Sequence, residues 1–259
     1  MNPAMALILT ATLALAAEPR PALLLGGGDP ARGLLVNRTV GRRPFDPPDP
    51  ALATVVFVHG FNPAPRIVHF EMAARLGEAL ARRGVRCNVL DWDWNAATAD
   101  SLSFRSNADD AVEQGRLLAA ALARSGVDPG RTHLIGHSSG AMVATSAAHE
   151  FAARHGRPVA QLTLLEAATF YHAVIFERLH AGSLAPVVEN YWTSGPSAWG
   201  KEVQLPGVRS YHVAGNARYW GVVRPARSDH VSIVAWYLGT VEDPASGAGF
   251  NTNRWVAPR

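Results

Sequence analysis

The run "TVVFVHG", residues 54–60, carries no charged residue and no apolar-polar alternation before it stops at Gly60. A strand with one wet face alternates, so a continuous β-branched and aromatic run predicts a strand covered on both faces. The next segment, "RIVHFEMAARLGEALARRG", sets Ile67, Phe70, Ala74 and Leu80 at helical spacing and offers Gly84 as a stop. Strand followed by helix is one α/β unit, and the unit recurs. "VRCNVLDW" predicts a strand, and "NADDAVEQGRLLAAALARSG" predicts a helix whose early acids and late Arg124 suit its dipole. After a turn at Asp128, "RTHLIG" reads as strand, "AMVATSAAHEFAARHG" as helix, "QLTLLEA" as strand and "VIFERLH" as a short helix. "PVVENYWT" and "VRSYHVAG" read as strands and "HVSIVAWYL" as the last helix. Strands alternating with helices imply an α/β fold: a mostly parallel β-sheet with helices on both faces, joined by right-handed crossovers.

Composition limits the alternatives. With 259 residues, 48% apolar and 17% charged, the chain has material for a substantial single core and is not a disordered or fibrous sequence. The net charge of +3 is spread over single and paired arginines such as Arg42–Arg43 and Arg82–Arg83, which does not make a nucleic-acid footprint. Cys87 is the single cysteine, so no intrachain disulfide can form, and its place in "VRCNVL" predicts a buried thiol. "RPFDPPDPA", residues 43–51, forbids helix and marks a connector. At the N-terminus, residues 4–17 are apolar, and Ala14 and Ala16 fit a small-x-small cleavage site, although no Lys or Arg precedes them. Residues 1–17 are therefore expected to be a signal peptide, making the protein secreted or periplasmic, with an N-terminal membrane anchor as the alternative. The stretch is too short for a comfortable bilayer span, and no longer apolar segment follows it. Residues 18–53 then supply N-terminal strands and the proline connector of the same domain, and 54–259 its α/β core.

In open parallel sheets, ligands bind beyond the carboxyl ends of the strands. At one such end, Gly136, Ser138 and Gly140 satisfy G-x-S-x-G between a buried strand and a helix opening with Ala141 and Ala144. In that setting the glycines permit a sharp strand-to-helix turn that exposes the serine hydroxyl. Acyl transfer by such a serine needs amide donors for the developing oxyanion. The backbone N–H groups of Ser139 and of Phe61, which follows "VHG", are the candidates, and His59 is read as a structural residue bonded to loop backbone.

"VVFVHGFN", "VLDWDW" and "HLIGHSSGA", in this order and on these elements, resemble the α/β-hydrolase superfamily, and their "HG", "DW" and "GHS" segments are similar to its serine lipase branch typified by pancreatic lipases. The resemblance implies an α/β-hydrolase fold and a triad in the order serine, acid, histidine. Of ten histidines, only His172, His180, His212 and His230 lie well beyond Ser138. His212 falls within a strand, its ring expected toward the core or helix layer. His230 stands directly before the last helix, the family's place for the general base. Most of the superfamily carries the acid after the strand matching "PVVENYWT", where residues 192–200 contain no carboxylate. The pancreatic-lipase branch carries it one strand earlier, where Glu166 stands; Asp229, Asp91, Asp93 and Glu189 are the competing candidates.

Short intervals between the later strands leave no room for a large cap domain. The loops bear Trp94, Phe170, Tyr171, Trp192, Trp199 and Trp220, which suggests an aromatic-lined acyl or aryl pocket. The expected function is a carboxylic-ester hydrolase of esterase or lipase type, with a Ser138-His230-Glu166 triad, no cofactor and a small-molecule ester or lipid-like substrate. Amide or thioester hydrolysis, and a catalytically silent hydrolase-like binding protein, are the alternatives. A dinucleotide loop at Gly26, Gly28 and Ala31 is opposed by Pro30 and by the β-rich "GLLVNRT" after it. His149 and His155 are six residues apart and cannot form the i, i+4 zinc pair, so no metal site is expected.

Overall fold

The computed structural model describes residues 33–61, 68–96, 107–194, 198, 200–213, 229–243, 245 and 249–252. The expected leader, the segment around Gly26, Trp199 and Trp220 lie outside these residues, as do the side chains of Phe170 and Tyr171. Seven strands form one sheet: β1 (Leu34–Asn37), β2 (Ala53–Val58), β3 (Cys87–Asp93), β4 (Thr132–His137), β5 (Gln161–Leu165), β6 (Val188–Trp192) and β7 (Val208–His212). Their order across the sheet is β1-β3-β2-β4-β5-β6-β7. All neighbours pair parallel except β1, which runs antiparallel to β3. Among the described residues the α-helices are α1 (Val68–Arg82), α2 (Asn107–Arg124), α3 (Gly140–His155), α4 (Thr169–Arg178) and α5 (Asp229–Glu242).

The unbroken apolar runs follow from coverage of both faces. Val56, Val58, Leu90, Leu134 and Leu164 point to one side and pack with Leu118 and Leu122 of α2, Val143 and Phe151 of α3 and Phe176 of α4. Their neighbours Val55, Phe57, Val89, Ile135 and Leu165 point to the other and pack with Leu76 and Leu80 of α1 and Ile233, Trp236 and Val241 of α5. Each such side chain contributes about 1.5–3 kcal/mol by leaving water, so two closed layers stabilise the sheet without a disulfide. Cys87 is buried on the second face, and burial pushes its thiol up to about 12, far from the reactive range.

Two local expectations change. The short helix α4 starts at Thr169, earlier than Val174, and takes in His172. Its N-cap is Ala168, which makes no side-chain cap bond, so no Ser, Thr or Asp marks the start. His212 does not face the core: it is exposed and shares a 2.8 Å hydrogen bond with Ser194 Oγ. Strand β7 pairs with β6 alone among the described strands and leaves most of its side chains exposed, which is why an inward-facing assignment fails there.

One buried base should dominate the acid limb of stability. His133 on β4 is wholly buried beneath Phe250, with Nε2 hydrogen-bonded to Thr163 Oγ1 at 2.8 Å. Burial lowers its pKa from 6.5 to about 3. Between those values the unfolded chain binds the proton and the folded one does not, so stability falls as pH drops from 6.5 toward 3. Asp91 acts oppositely: burial outweighs the nearby His59 and Arg38 and raises its pKa from 3.8 to about 6, so the fold gains protons first between pH 6 and 3.8. His133→Gln, which keeps a hydrogen-bonding group for Thr163, is expected to flatten or reverse the loss of stability between pH 6.5 and 4. Urea unfolding midpoints at stepped pH read this directly; an unchanged slope would reject it.

Candidate active site

Strand β4 ends at His137, and Ser138 sits alone between it and α3, with Ser139 as the helix N-cap. Its φ is +56°, a left-handed conformation costing an L-residue about 1–2 kcal/mol. Surrounding backbone holds it there: Ser138 N–H donates to Leu165 O at 2.9 Å, and Ser138 O accepts from Ala141 N at 3.0 Å and from Ala168 N at 3.4 Å. Three glycines permit the close approach. A Cβ on Gly136 would enter the Gly140 carbonyl, one on Gly140 would enter the carbonyls of Val58 and His59, and one on Gly60 would lie 2.7 Å from Ser138 Cβ. Because Gly140 meets rigid backbone, Gly140→Ala is expected to destabilise the fold by about 1–3 kcal/mol, read as a lower urea midpoint at unchanged m-value.

Glu166 follows β5 directly, also with positive φ (+47°), and is completely buried. Its Oε1 accepts from the backbone N–H of Thr193 and from Thr193 Oγ1 at 3.0 Å. Its Oε2 accepts from Gly200 N at 3.0 Å and from His230 Nδ1 at 3.3 Å. Donors at both oxygens match an ionised carboxylate, which only accepts. A side chain at residue 200 would collide with Glu166, since a Cβ there lies 2.8 Å from Glu166 Cα. The start of the loop after β6, which carries no acid through Gly200, thus grips the acid that follows β5.

His230 is the second residue of α5, with its side chain 15% exposed. Its carbonyl accepts from His137 Nε2 at 2.8 Å, and the two rings lie 4.7 Å apart. The opposite side of the site is the loop after β2. There His59 Nδ1 donates to Gly60 O at 2.7 Å, Trp94 N–H donates to His59 Nε2 at 3.2 Å, and Trp94 Nε1 donates to His59 O at 2.8 Å. His59 Nε2 also lies 3.7 Å from Asp93 Oδ1, so the ring is held from both of its nitrogens.

Residues 55–255 match the sequence model of the Alpha/beta hydrolase family. The chain belongs to this family. Its fold is similar to solved structures of an esterase from Pyrobaculum calidifontis (17% identity, TM-score 0.45, 81% of this chain and 80% of that one) and of Thermogutta terrifontis esterase 2 phosphonylated by sarin (13% identity, TM-score 0.49, 88% and 91%). An alpha-beta serine hydrolase homologue from Coxiella burnetii is similar at 13% identity and TM-score 0.47, over 83% and 92%. Comparison with curated proteins gives no match.

In this α/β hydrolase, Glu166 and His230 meet directly, whereas Ser138 is linked to them through backbone, its N–H donating to Leu165 O and its chain neighbour His137 donating to the His230 carbonyl. The other acids have different partners. Asp91 faces Arg38 at 3.5 Å, Asp93 Oδ1 accepts from Asn95, Glu189 accepts from Gln161, and Asp229 opens α5. Phe61 is half-buried and Ser139 buried at the start of α3. Trp94 is a correction: it is fully buried in the core, because its indole N–H finds the His59 carbonyl there, and it does not line an open pocket. Trp192 is half-buried, its ring 4.3 Å from that of His212. Thr193 and His137 stand at strand ends, where the sequence places the ligand site, but it gives neither a role there, and Gly200 is not among its candidates. A hydroxyl residue at the end of the strand next to the acid is the signal that could have found Thr193. Among the described residues no cluster of His, Cys, Asp and Glu is arranged to hold a metal ion.

Proposed function

We propose that this α/β hydrolase is a serine hydrolase, a carboxylic-ester hydrolase of esterase or lipase type working through an acyl-enzyme. The observation that carries the reading is the 3.3 Å contact of His230 Nδ1 with a buried, fully gripped Glu166, beside a serine at φ +56° on the adjoining strand end. In this reading Nε2 of His230 takes the proton of Ser138 Oγ as that oxygen attacks the ester carbonyl carbon, and Glu166 stabilises the resulting imidazolium. The amides of Phe61 and Ser139 receive the oxyanion, each such donor being worth about 3–4 kcal/mol of barrier. The imidazolium then protonates the departing alcohol, and water, activated by the same base, releases the acid. The firm His59–Trp94 clamp supports this by fixing the loop that leads into Phe61.

A fluorophosphonate probe followed by peptide mass mapping tests the assignment. Label is expected on Ser138, absent in Ser138→Ala and weakened in His230→Ala. No label on the folded protein would replace the enzyme with a silent binding protein. A series of p-nitrophenyl esters of graded acyl length then defines the substrate. Activity confined to small polar esters would reject an aromatic-lined acyl site.

A further inference from the structure

We infer that His137 is a positioning residue that ties the general base to the nucleophile through the backbone of β4. This inference rests on the roles proposed above for Ser138, His230 and Glu166. Strand alternation puts His133, Ile135 and His137 on the α1/α5 face of β4, while the chain turns into Ser138 one residue later. Helix α5 begins above that face, so the buried His137 ring meets the first turn of α5 from below. The His230 carbonyl can only accept, so His137 Nε2 carries the proton and donates it at 2.8 Å.

The consequence is geometric. His230 is held at two points, its ring by Glu166 after β5 and its main chain by His137 at the end of β4. These two strands are hydrogen-bonded neighbours, with His137 opposite Leu165. Nucleophile and base anchor are consecutive residues, so any shift of the β4 end carries both together and preserves their separation. A misplacement of about 1 Å in such a pair can cost about a hundredfold in rate, which is the scale this anchor controls.

Two variants of the full chain separate the donor from the ring. His137→Phe keeps a flat ring against His230 but cannot donate, whereas His137→Gln places an amide N–H near the lost Nε2. Steady-state ester hydrolysis is expected to show kcat down about 10- to 100-fold in His137→Phe with KM within about twofold, and most of kcat restored in His137→Gln. Equal loss in both variants would overturn the inference in favour of plain packing, as would wild-type kcat in His137→Phe. Proton NMR gives a readout independent of turnover: the far-downfield resonance of His230 Nδ1–H against Glu166, identified by its loss in Glu166→Gln. It is expected to persist in His137→Gln and to broaden or shift in His137→Phe, and its unchanged persistence in His137→Phe would also overturn the anchor. A wild-type protein showing the resonance and its response to His137→Phe, yet neither labelling nor hydrolysing esters, would sink the serine-hydrolase reading and leave the anchor standing.

Discussion

Ser138→Gly is expected to raise the stability of the protein while abolishing ester hydrolysis. At φ +56° the serine occupies a conformation that costs an L-residue about 1–2 kcal/mol and costs glycine almost nothing. The extra freedom of glycine in the unfolded chain returns about 0.5–1 kcal/mol of that, so the net gain is about 0.5–1 kcal/mol, visible as a higher urea midpoint. Ser138→Ala serves as the control, since it loses the same hydroxyl but keeps the Cβ and therefore the strain. Both variants should lose about five to six orders of magnitude in kcat, the scale seen when a nucleophile acting in a triad is removed. A strained residue whose relief stabilises the fold and ends the reaction is the signature of a site held in tension for function. If Ser138→Gly were no more stable than Ser138→Ala, the positive φ would carry no cost and that account would fail.

How far the sequence revealed this site depended on whether each role needs a particular side chain. The strands were legible because burial on both faces demands unbroken apolar runs such as "TVVFV", and no other element of that length does. The serine turn was legible because Gly136 and Gly140 stand where a Cβ would strike backbone. The grip on Glu166 was not, because it includes the main-chain N–H groups of Thr193 and Gly200, which every residue but proline possesses. Trp94 misled for a related reason: an aromatic just past a strand suits a pocket wall or a core equally, and only the His59 carbonyl waiting for its N–H decides between them. The outward turn of His212 follows from its position on β7, which is set by sheet order and not by any local pattern.

Glu166→Gln is expected to combine a loss of about 10⁴ in kcat with measurable destabilisation, a pairing that substitution of an exposed acid would not give. The wild-type carboxylate accepts from Thr193 N–H and Oγ1–H at one oxygen and from Gly200 N–H and His230 Nδ1–H at the other. A glutamine must put its NH₂ at one of these two places. At the first it faces the Thr193 amide, donor against donor. At the second it faces the Gly200 amide and also obliges His230 Nδ1 to accept, which moves the ring proton to Nε2, the atom that in the proposed mechanism takes the proton of Ser138. The Thr193 hydroxyl can rotate to accept, but neither backbone N–H can, so either orientation leaves a buried donor unmet at a cost of about 1–3 kcal/mol. The second orientation adds the wrong-tautomer defect, whose known scale is about 10⁴ in kcat. Urea unfolding and steady-state ester kinetics on the same preparation read both effects. Thr193→Val, which loses only the hydroxyl donor and keeps a β-branched shape, should show a much smaller change in each. Wild-type activity in Glu166→Gln would remove Glu166 from the triad and return the assignment to the remaining carboxylates.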